Sequence, residues 1–516
     1  MKYSSFTITI IIMCLFTMVI SGCSTVPDVK PPVAQVVPKA DTLHGDVRID
    51  NYYWLREKTN PEVIEHLKAE NAYTDAMMKN TVAFQEQLYN ELVGRIKETD
   101  LDVPYREGEY YYYSRTEKGK QYPINCRKKR NLDAPEEILL NRNELAKDYR
   151  ALLLGALTVS PDGKMLAYSL DTNGSETFTL FIKKLTDGIL LKDRIENTVS
   201  VVWAMDNRTL FYTTRDAAKR SYRLYRHVLG SPSAGDPLLY EEKDELYRIG
   251  AVRSKDDEYV FLVSTASNSD EVRYLPARHP TDPLKVILPR ENGHEYSVNH
   301  HHGLFYIITN KNAKNFRMVK APVADPREKN WIEVLPHRAD VTLEGADFFR
   351  NYFVAFEREK GLQKIRVSDL RTGDVHYIDF PEPVYTASGG MNQIWDTNIF
   401  RFAYQSFITP ASVYDYSMDN KKRVLMKQTE VLGGYDPAQY QSERIYAKAP
   451  DGKEVPVSLV YKKGMERNGK APLHLYGYGS YGSSSAVAFS SNRLSLLNRG
   501  IIFALAHVRG GGDLGR

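Results

Sequence analysis

The chain has 516 residues, well beyond one ordinary domain of roughly 150, and its 42% hydrophobic and 26% charged residues exclude wholesale disorder. Its 69 basic and 65 acidic residues leave a net charge of +4 with no long basic block, so charge gives no sign of a nucleic-acid partner. Three cysteines (Cys14, Cys23, Cys126) are too few for a disulfide framework, while 35 tyrosines against 4 tryptophans favour strands.

The first elements are an address. Lys2 precedes an apolar run, 6–20 (FTITIIIMCLFTMVI), shorter than the ~20 residues of a membrane span but suited to a signal-peptide core. It ends in Ile20-Ser21-Gly22-Cys23, which resembles the bacterial lipobox: an aliphatic residue, two small residues that admit the peptidase, then a thiol to carry lipid. Residues 1–23 therefore read as a lipoprotein-type signal with Cys23 as the lipidation site. A plain signal peptide or a short anchor is the alternative. Ser24 follows where an inner-membrane retention signal would place Asp, which favours the periplasmic face of the outer membrane. Four prolines in 24–40 make an extended tether.

Folded sequence begins near Asp41, and 41–100 reads as a helical segment. Asn60 and Pro61 are a helix start, with Asn as cap and Pro at the first helical position. The stretch 61–78 has no internal Gly or Pro, and Val63, Ile64 and Leu67 share a face. A second helix is predicted over 84–96. From 101 to 427 the texture is short apolar and tyrosine-rich runs between turns. Seven strand cores, beginning at 110 (YYYY), 165 (MLAY), 210 (LFYT), 259 (YVFL), 304 (LFYI), 352 (YFVA) and 399 (IFRF), lie 45 to 55 residues apart. Turn sequences such as Ser160-Pro161-Asp162-Gly163 punctuate them. A period of about 40–50 residues with some four strands per unit is the pattern of a β-propeller, here of seven blades. The period alone leaves a sandwich or several separate β-domains open.

The final segment, 428–516, changes again. Asp451-Gly452 turns between two strands, 443–449 and 455–461, and the runs 473–476 and 500–508 (GIIFALAHV) read as strands buried on both faces of an α/β sheet. A serine-capped crossover helix is predicted at 490–497. The fold expected is mixed β and α/β: a seven-bladed propeller and an α/β domain of which only the first part is present.

Residues 41–76, 472–480 (PLHLYGYGS) and 506–515 (AHVRGGGDLG) resemble the prolyl oligopeptidase family of serine peptidases. Within it, 110–129, 408–416 (ITPASVYDY), 431–440 and 489–497 (FSSNRLSLL) look like the oligopeptidase B (protease II) branch. The resemblance covers everything after the tether. It implies a propeller covering an α/β-hydrolase domain, hydrolysis of short peptides after Lys or Arg through an acyl-enzyme, no cofactor and no metal. It also carries a role to Tyr478, whose hydroxyl matches the family's oxyanion donor, and more weakly to Tyr481, which sits where the prolyl enzyme has an aromatic in its primary pocket. The loop 485–488 (SAVA) carries none of the acidic residues that some members have there.

Acyl transfer needs an activated serine, a histidine base, an orienting carboxylate and oxyanion donors, and on this scaffold the serine occupies a G-x-S-x-G elbow. No such elbow occurs in 516 residues. The resemblance puts elbow, acid and histidine after the R-G-G-G segment, so the catalytic Ser, Asp and His are expected beyond residue 516 and this chain alone is expected to be inactive. A triad of Ser480, His507 and Asp513 has no spacing to support it. The partners expected are short basic peptides and, through Cys23, a membrane; nucleic acid is not. The alternative is a catalytically dead, tethered propeller that binds peptides or other partners.

Three signals are set aside. Gly510 to Gly515 fits G-x-G-x-x-G, but neither a helix nor a later acidic residue completes a dinucleotide site, so a tight turn beside the cleft is expected. His300-His301-His302 cannot converge on one metal from a strand, and a solvated loop is expected. Arg127-Lys128-Lys129-Arg130 reads as an exposed strand end.

Overall fold

The computed structural model of the chain describes residues 29–515; the signal sequence and Cys23 lie outside them. The described chain forms two compact units, divided after Gly94.

The first unit opens with a hairpin, Lys39–Leu43 against Asp46–Asp50. His44 (φ 52°) and Gly45 (φ 84°) close it in the left-handed conformation that a two-residue type I′ turn demands. The helix Pro61–Met78 starts as expected: the Asn60 side chain accepts from the Glu62 amide at 2.9 Å, and Pro61 gives up no hydrogen bond at the first position. Of its apolar residues Val63 is buried, whereas Ile64 and Leu67 are exposed. The second helix is Val82–Val93, two residues earlier at its start than the apolar pattern suggests. It stops at Gly94, whose amide bonds back to the Asn90 carbonyl at 2.9 Å.

In the second unit, seven four-stranded antiparallel sheets follow one another from Tyr105 to Gln428, each built from four consecutive strands in sequence order. Every one of the seven strand cores in the sequence is the second strand of its sheet, for example Tyr110–Arg115, Thr209–Arg215 and Ile399–Ser406. A second strand has a partner on each side and a sheet on each face, so its residues are apolar nearly without interruption. Its neighbours, with one edge or face in water, carry a weaker pattern. Adjacent sheets pack through aromatic and branched residues such as Trp203, Phe211, Phe305 and Phe400, all fully buried.

Two signals set aside above behave differently from expectation. The three histidines are not in a solvated loop. Tyr296–His301 is a strand, His300 and His301 are buried, and His302 (φ 48°) opens the following turn. His300 Nδ1 lies 2.6 Å from Asp256 Oδ2, and His301 Nε2 lies 3.1 Å from the Arg350 carbonyl. Asp256 and Arg350 come from other sheets, which no local pattern announces, while His300 Nε2 accepts from the nearby Gly303 amide at 3.0 Å. Arg127 is likewise buried rather than exposed: its guanidinium lies over the Tyr110 ring at 3.8 Å and bonds Glu137 and the Gly163 carbonyl.

A four-stranded mixed sheet follows. Tyr440–Lys448 and Glu454–Lys462 form the expected hairpin around Asp451 and Gly452, Glu454–Lys462 pairs antiparallel with Ile502–Ala506, and Leu473–Tyr476 runs parallel beside the latter. Leu473–Tyr476 is not buried on both faces; all four residues are exposed, because it pairs on one side only among the described residues. The crossover helix is shorter than expected, Arg493–Leu497, with Asn492 at its cap position and Ser490 Oγ accepting from the Arg493 amide at 3.4 Å. Leu494 and Leu497 from this helix join Val384 and Phe407, which flank strands of the seventh sheet, and Val460 and Leu505 of the mixed sheet in one apolar cluster.

Candidate active site

The parallel pair ends in two glycine-rich loops that lean on each other. Tyr476 is in register with Leu505, so both chains leave the sheet at the same edge, one into Gly477-Tyr478-Gly479 and the other into His507–Gly512. Contact between the loops leaves no room for side chains. A Cβ on Gly479 would stand 2.5 Å from Val508 Cγ2 and 2.6 Å from the Arg509 carbonyl oxygen, and one on Gly510 only 2.1 Å from the Gly479 carbonyl oxygen. Only glycine permits that approach. The Gly482 amide donates to the Gly510 carbonyl (2.8 Å) and Ser484 Oγ to the Gly511 carbonyl (3.0 Å).

This backing holds out two tyrosines. Tyr478 is half-exposed. Tyr481 is 96% exposed and has φ 58°, a left-handed backbone that a bulky residue adopts only when its surroundings impose it. Such strain in an exposed aromatic is the kind of outlier that accompanies ligand-contacting loops. The glycines 510, 512 and 515, all with positive φ, form turns rather than a phosphate cradle leading into a helix.

Ser480 does not join His507 and Asp513. Those two do meet, with His507 Nδ1 2.9 Å from Asp513 Oδ1, but the serine on the other ring nitrogen is Ser458, whose Oγ lies 2.8 Å from Nε2. Ser458 is fully buried within a central strand. Nothing in the sequence marks it: a serine in V-S-L-V, 49 residues from its histidine, looks like any strand residue.

Beside the loops lies a cavity of about 310 Å³ between the fourth to sixth sheets and Gly482, Ser484 and Gly512. Three carboxylates line it: Asp270, Glu295 and Glu344. Burial pushes the Asp270 carboxyl above its ordinary range, against hydrogen bonds from Thr265 and the Tyr296 amide. Glu344 is paired with Arg358 at 2.6 Å. These acids went unremarked in the sequence because they belong to different sheets, 25 to 74 positions apart. Nearby, Arg444 brings a guanidinium whose pKa is lowered by burial, against the attraction of Tyr446 and Asp513.

Comparison with known proteins agrees with this architecture. The family model for the prolyl oligopeptidase N-terminal beta-propeller domain matches residues 31–429. Dipeptidyl aminopeptidase BI of Pseudoxanthomonas mexicana is 39% identical, over 98% of this chain and 72% of its own length. Protease 2 of Moraxella lacunata is 36% identical, over 94% and 71%. Among solved structures, oligopeptidase B from Leishmania major superposes with a TM-score of 0.86 at 32% identity, covering 94% of this chain and 72% of that one. Oligopeptidase B from Trypanosoma brucei, with covalently bound antipain, gives the same TM-score at 31% identity. The β-propeller of the matched family model spans the seven sheets found between Tyr105 and Gln428. The chain belongs to the prolyl oligopeptidase family of serine peptidases, close to oligopeptidase B.

Proposed function

We propose that the gene product is a serine oligopeptidase that cleaves short peptides after Lys or Arg through an acyl-enzyme, with Tyr478 donating to the oxyanion. The observation that carries this is Tyr478 itself, a half-exposed phenol on a loop braced by glycine-only contacts. A carbonyl oxygen that gains charge on attack is stabilised by a donor already aimed at it, because no reorganisation is then needed during the reaction. Tyr481, exposed and strained, is proposed to contact the residue preceding the scissile bond. The preference for basic residues rests on the likeness to oligopeptidase B; the adjoining cavity adds the carboxylates of Asp270, Glu295 and Glu344, the last already paired with Arg358.

The seven sheets are proposed as the blades of one propeller, and the mixed sheet as the N-terminal part of an α/β-hydrolase domain. The matched part of the chain spans 72% of dipeptidyl aminopeptidase BI. The nucleophile, acid and base are the part of the proposal that these residues do not carry. Cys23 is proposed to be lipidated, holding the protein at the periplasmic face of the outer membrane. Palmitate labelling that survives in wild type and disappears in Cys23→Ser tests this; a soluble periplasmic form starting elsewhere overturns it.

The activity is tested on the enzyme expressed from its full locus with Arg- and Lys-linked reporter amides. Tyr478→Phe is expected to lower turnover about 10²–10³-fold with little change in KM. Wild-type turnover in Tyr478→Phe overturns the oxyanion role. Absence of hydrolysis in the wild-type enzyme leaves the tethered, peptide-binding propeller. Residues 1–516 alone are expected to show no hydrolysis; activity silenced by a serine-directed phosphonate would refute that.

A further inference from the structure

We infer that Ser458, His507 and Asp513 form a positioning relay that sets the loop behind Tyr478, despite having the connectivity of a catalytic triad. The inference rests on the reading of Tyr478 as oxyanion donor. His507 is held through both ring nitrogens, Nδ1 at 2.9 Å from Asp513 Oδ1 and Nε2 at 2.8 Å from Ser458 Oγ. All three side chains are buried. Ser458 sits mid-strand in Glu454–Lys462, paired on both sides with Arg444 and Leu505. A peptide carbonyl cannot come within bonding distance of its Oγ, and a nucleophile needs that access.

The relay's position explains it. His507 and Asp513 flank residues 508–512, so their bond staples the base of that loop, and Ser458 ties the staple to the middle of the sheet. The His507 amide adds a bond to the Pro456 carbonyl at 2.9 Å. The stapled loop is the surface on which Gly479 rests, through Val508, Arg509 and Gly510. The chain of contact therefore runs from Asp513 to His507, through the loop to Gly479, and so to Tyr478. Loosening any link gives the phenol freedom, and a donor must be held to within a fraction of an ångström to stabilise developing charge.

The test uses Asp513→Asn, Ser458→Ala and the conservative Ser458→Thr. In the 516-residue chain, Asp513→Asn is expected to speed amide exchange at 479–484 and 508–512 about tenfold, leaving 440–462 unchanged. In the enzyme from the full locus it is expected to lower kcat at least tenfold with KM within about threefold. In a Tyr478→Phe background the same change is expected to cost less than about threefold, because the group being positioned has gone. Ser458→Ala should follow Asp513→Asn, and Ser458→Thr, which keeps the hydroxyl, should restore both readouts. Unchanged exchange, or equal kcat losses in both backgrounds, overturns the relay. Phosphonate labelling of Ser458 overturns it in favour of a nucleophile. If Tyr478→Phe leaves turnover intact, the oxyanion role fails, and the exchange measurement still decides the relay.

Discussion

Six interfaces between sequence-adjacent sheets and the one between the last and first sheets are built in opposite ways. Each of the six is filled by an apolar cluster of seven to thirteen buried residues drawn from both partners. Between the seventh and first sheets the buried cluster is Tyr113, Ile124 and Cys126, all from the first sheet, and a cavity of about 600 Å³ lies against it, lined by residues such as Tyr112, Leu139, Ala403 and Val413. Polar contacts hold this seam instead. Arg401 Nη1 donates to the Pro104 carbonyl at 2.8 Å while its other nitrogens bind Asp415, and Lys427 Nζ lies 2.5 Å from Asp100 Oδ2. Consecutive sheets meet as the chain is laid down and can bury apolar surface at low loop-closure cost, whereas the seam joins residues about 300 positions apart. The result is a ring whose closure rests on directional bonds more than on burial.

The difference yields four expectations, of decreasing size. Phe402→Ala, in the cluster joining the sixth and seventh sheets, should cost about 3–5 kcal/mol, read as a large drop in denaturation midpoint. A loss under about 1 kcal/mol would mean that this packed interface is no stronger than the seam. Arg401→Met should cost less, about 1.5–3 kcal/mol, from one charged bonding site. Its sharper signature is local: Cys126, fully buried with its thiol pushed up to about 12, chiefly by burial, resists thiol reagents in the native protein. Arg401→Met should accelerate Cys126 labelling under conditions where Phe402→Ala, compared at equal stability, does not.

Acid provides a third probe. Burial would raise the Asp100 pKa, but bonds from Lys427 and the Leu101 amide outweigh it and lower the value on balance. A carboxylate held below its unfolded value stabilises the fold above that value, near pH 4, and the contribution disappears as pH falls through the folded one. Amide exchange in 100–116, corrected for intrinsic rates, should therefore rise below about pH 4 in wild type and less so in Lys427→Ala. Equal acid response in both would remove Asp100 from the seam's closure. Smallest of all, Ala403→Leu should change stability by less than about 1 kcal/mol, because the cavity it faces has room for the added methylenes. A loss of several kcal/mol would show that the seam is packed more tightly than this.

The sheets and the loops differ also in how far the sequence disclosed them. The cores YYYY, LFYT and IFRF were legible because a strand covered on both edges and both faces carries its whole environment in its own composition. Leu473–Tyr476 looked like such a strand and is an exposed edge among the described residues, since a short run such as LHLY does not say whether a neighbour is there. The helix at Asn60-Pro61 was legible because a cap is a local bond; the placement of Ile64 and Leu67 in solvent was not, because it depends on what packs against the helix.

At the candidate site, Tyr478 and the glycines around it stood out through the Y-G-Y-G and R-G-G-G motifs, and residue type there follows from close backbone approach. By itself the sequence determined the repeat of strands, the turns between them and the start of the first helix, because each depends on neighbours within a few positions; the role of Tyr478 came only with the family resemblance. The tertiary structure alone decided that His507 and Asp513 would pair with Ser458 and not Ser480, that His300 and His301 would be buried against Asp256 and the Arg350 carbonyl, and that the ring would close through a hollow seam. Those outcomes depend on contacts between residues tens to hundreds of positions apart, and a linear pattern encodes no distance between segments that meet only when the chain has folded.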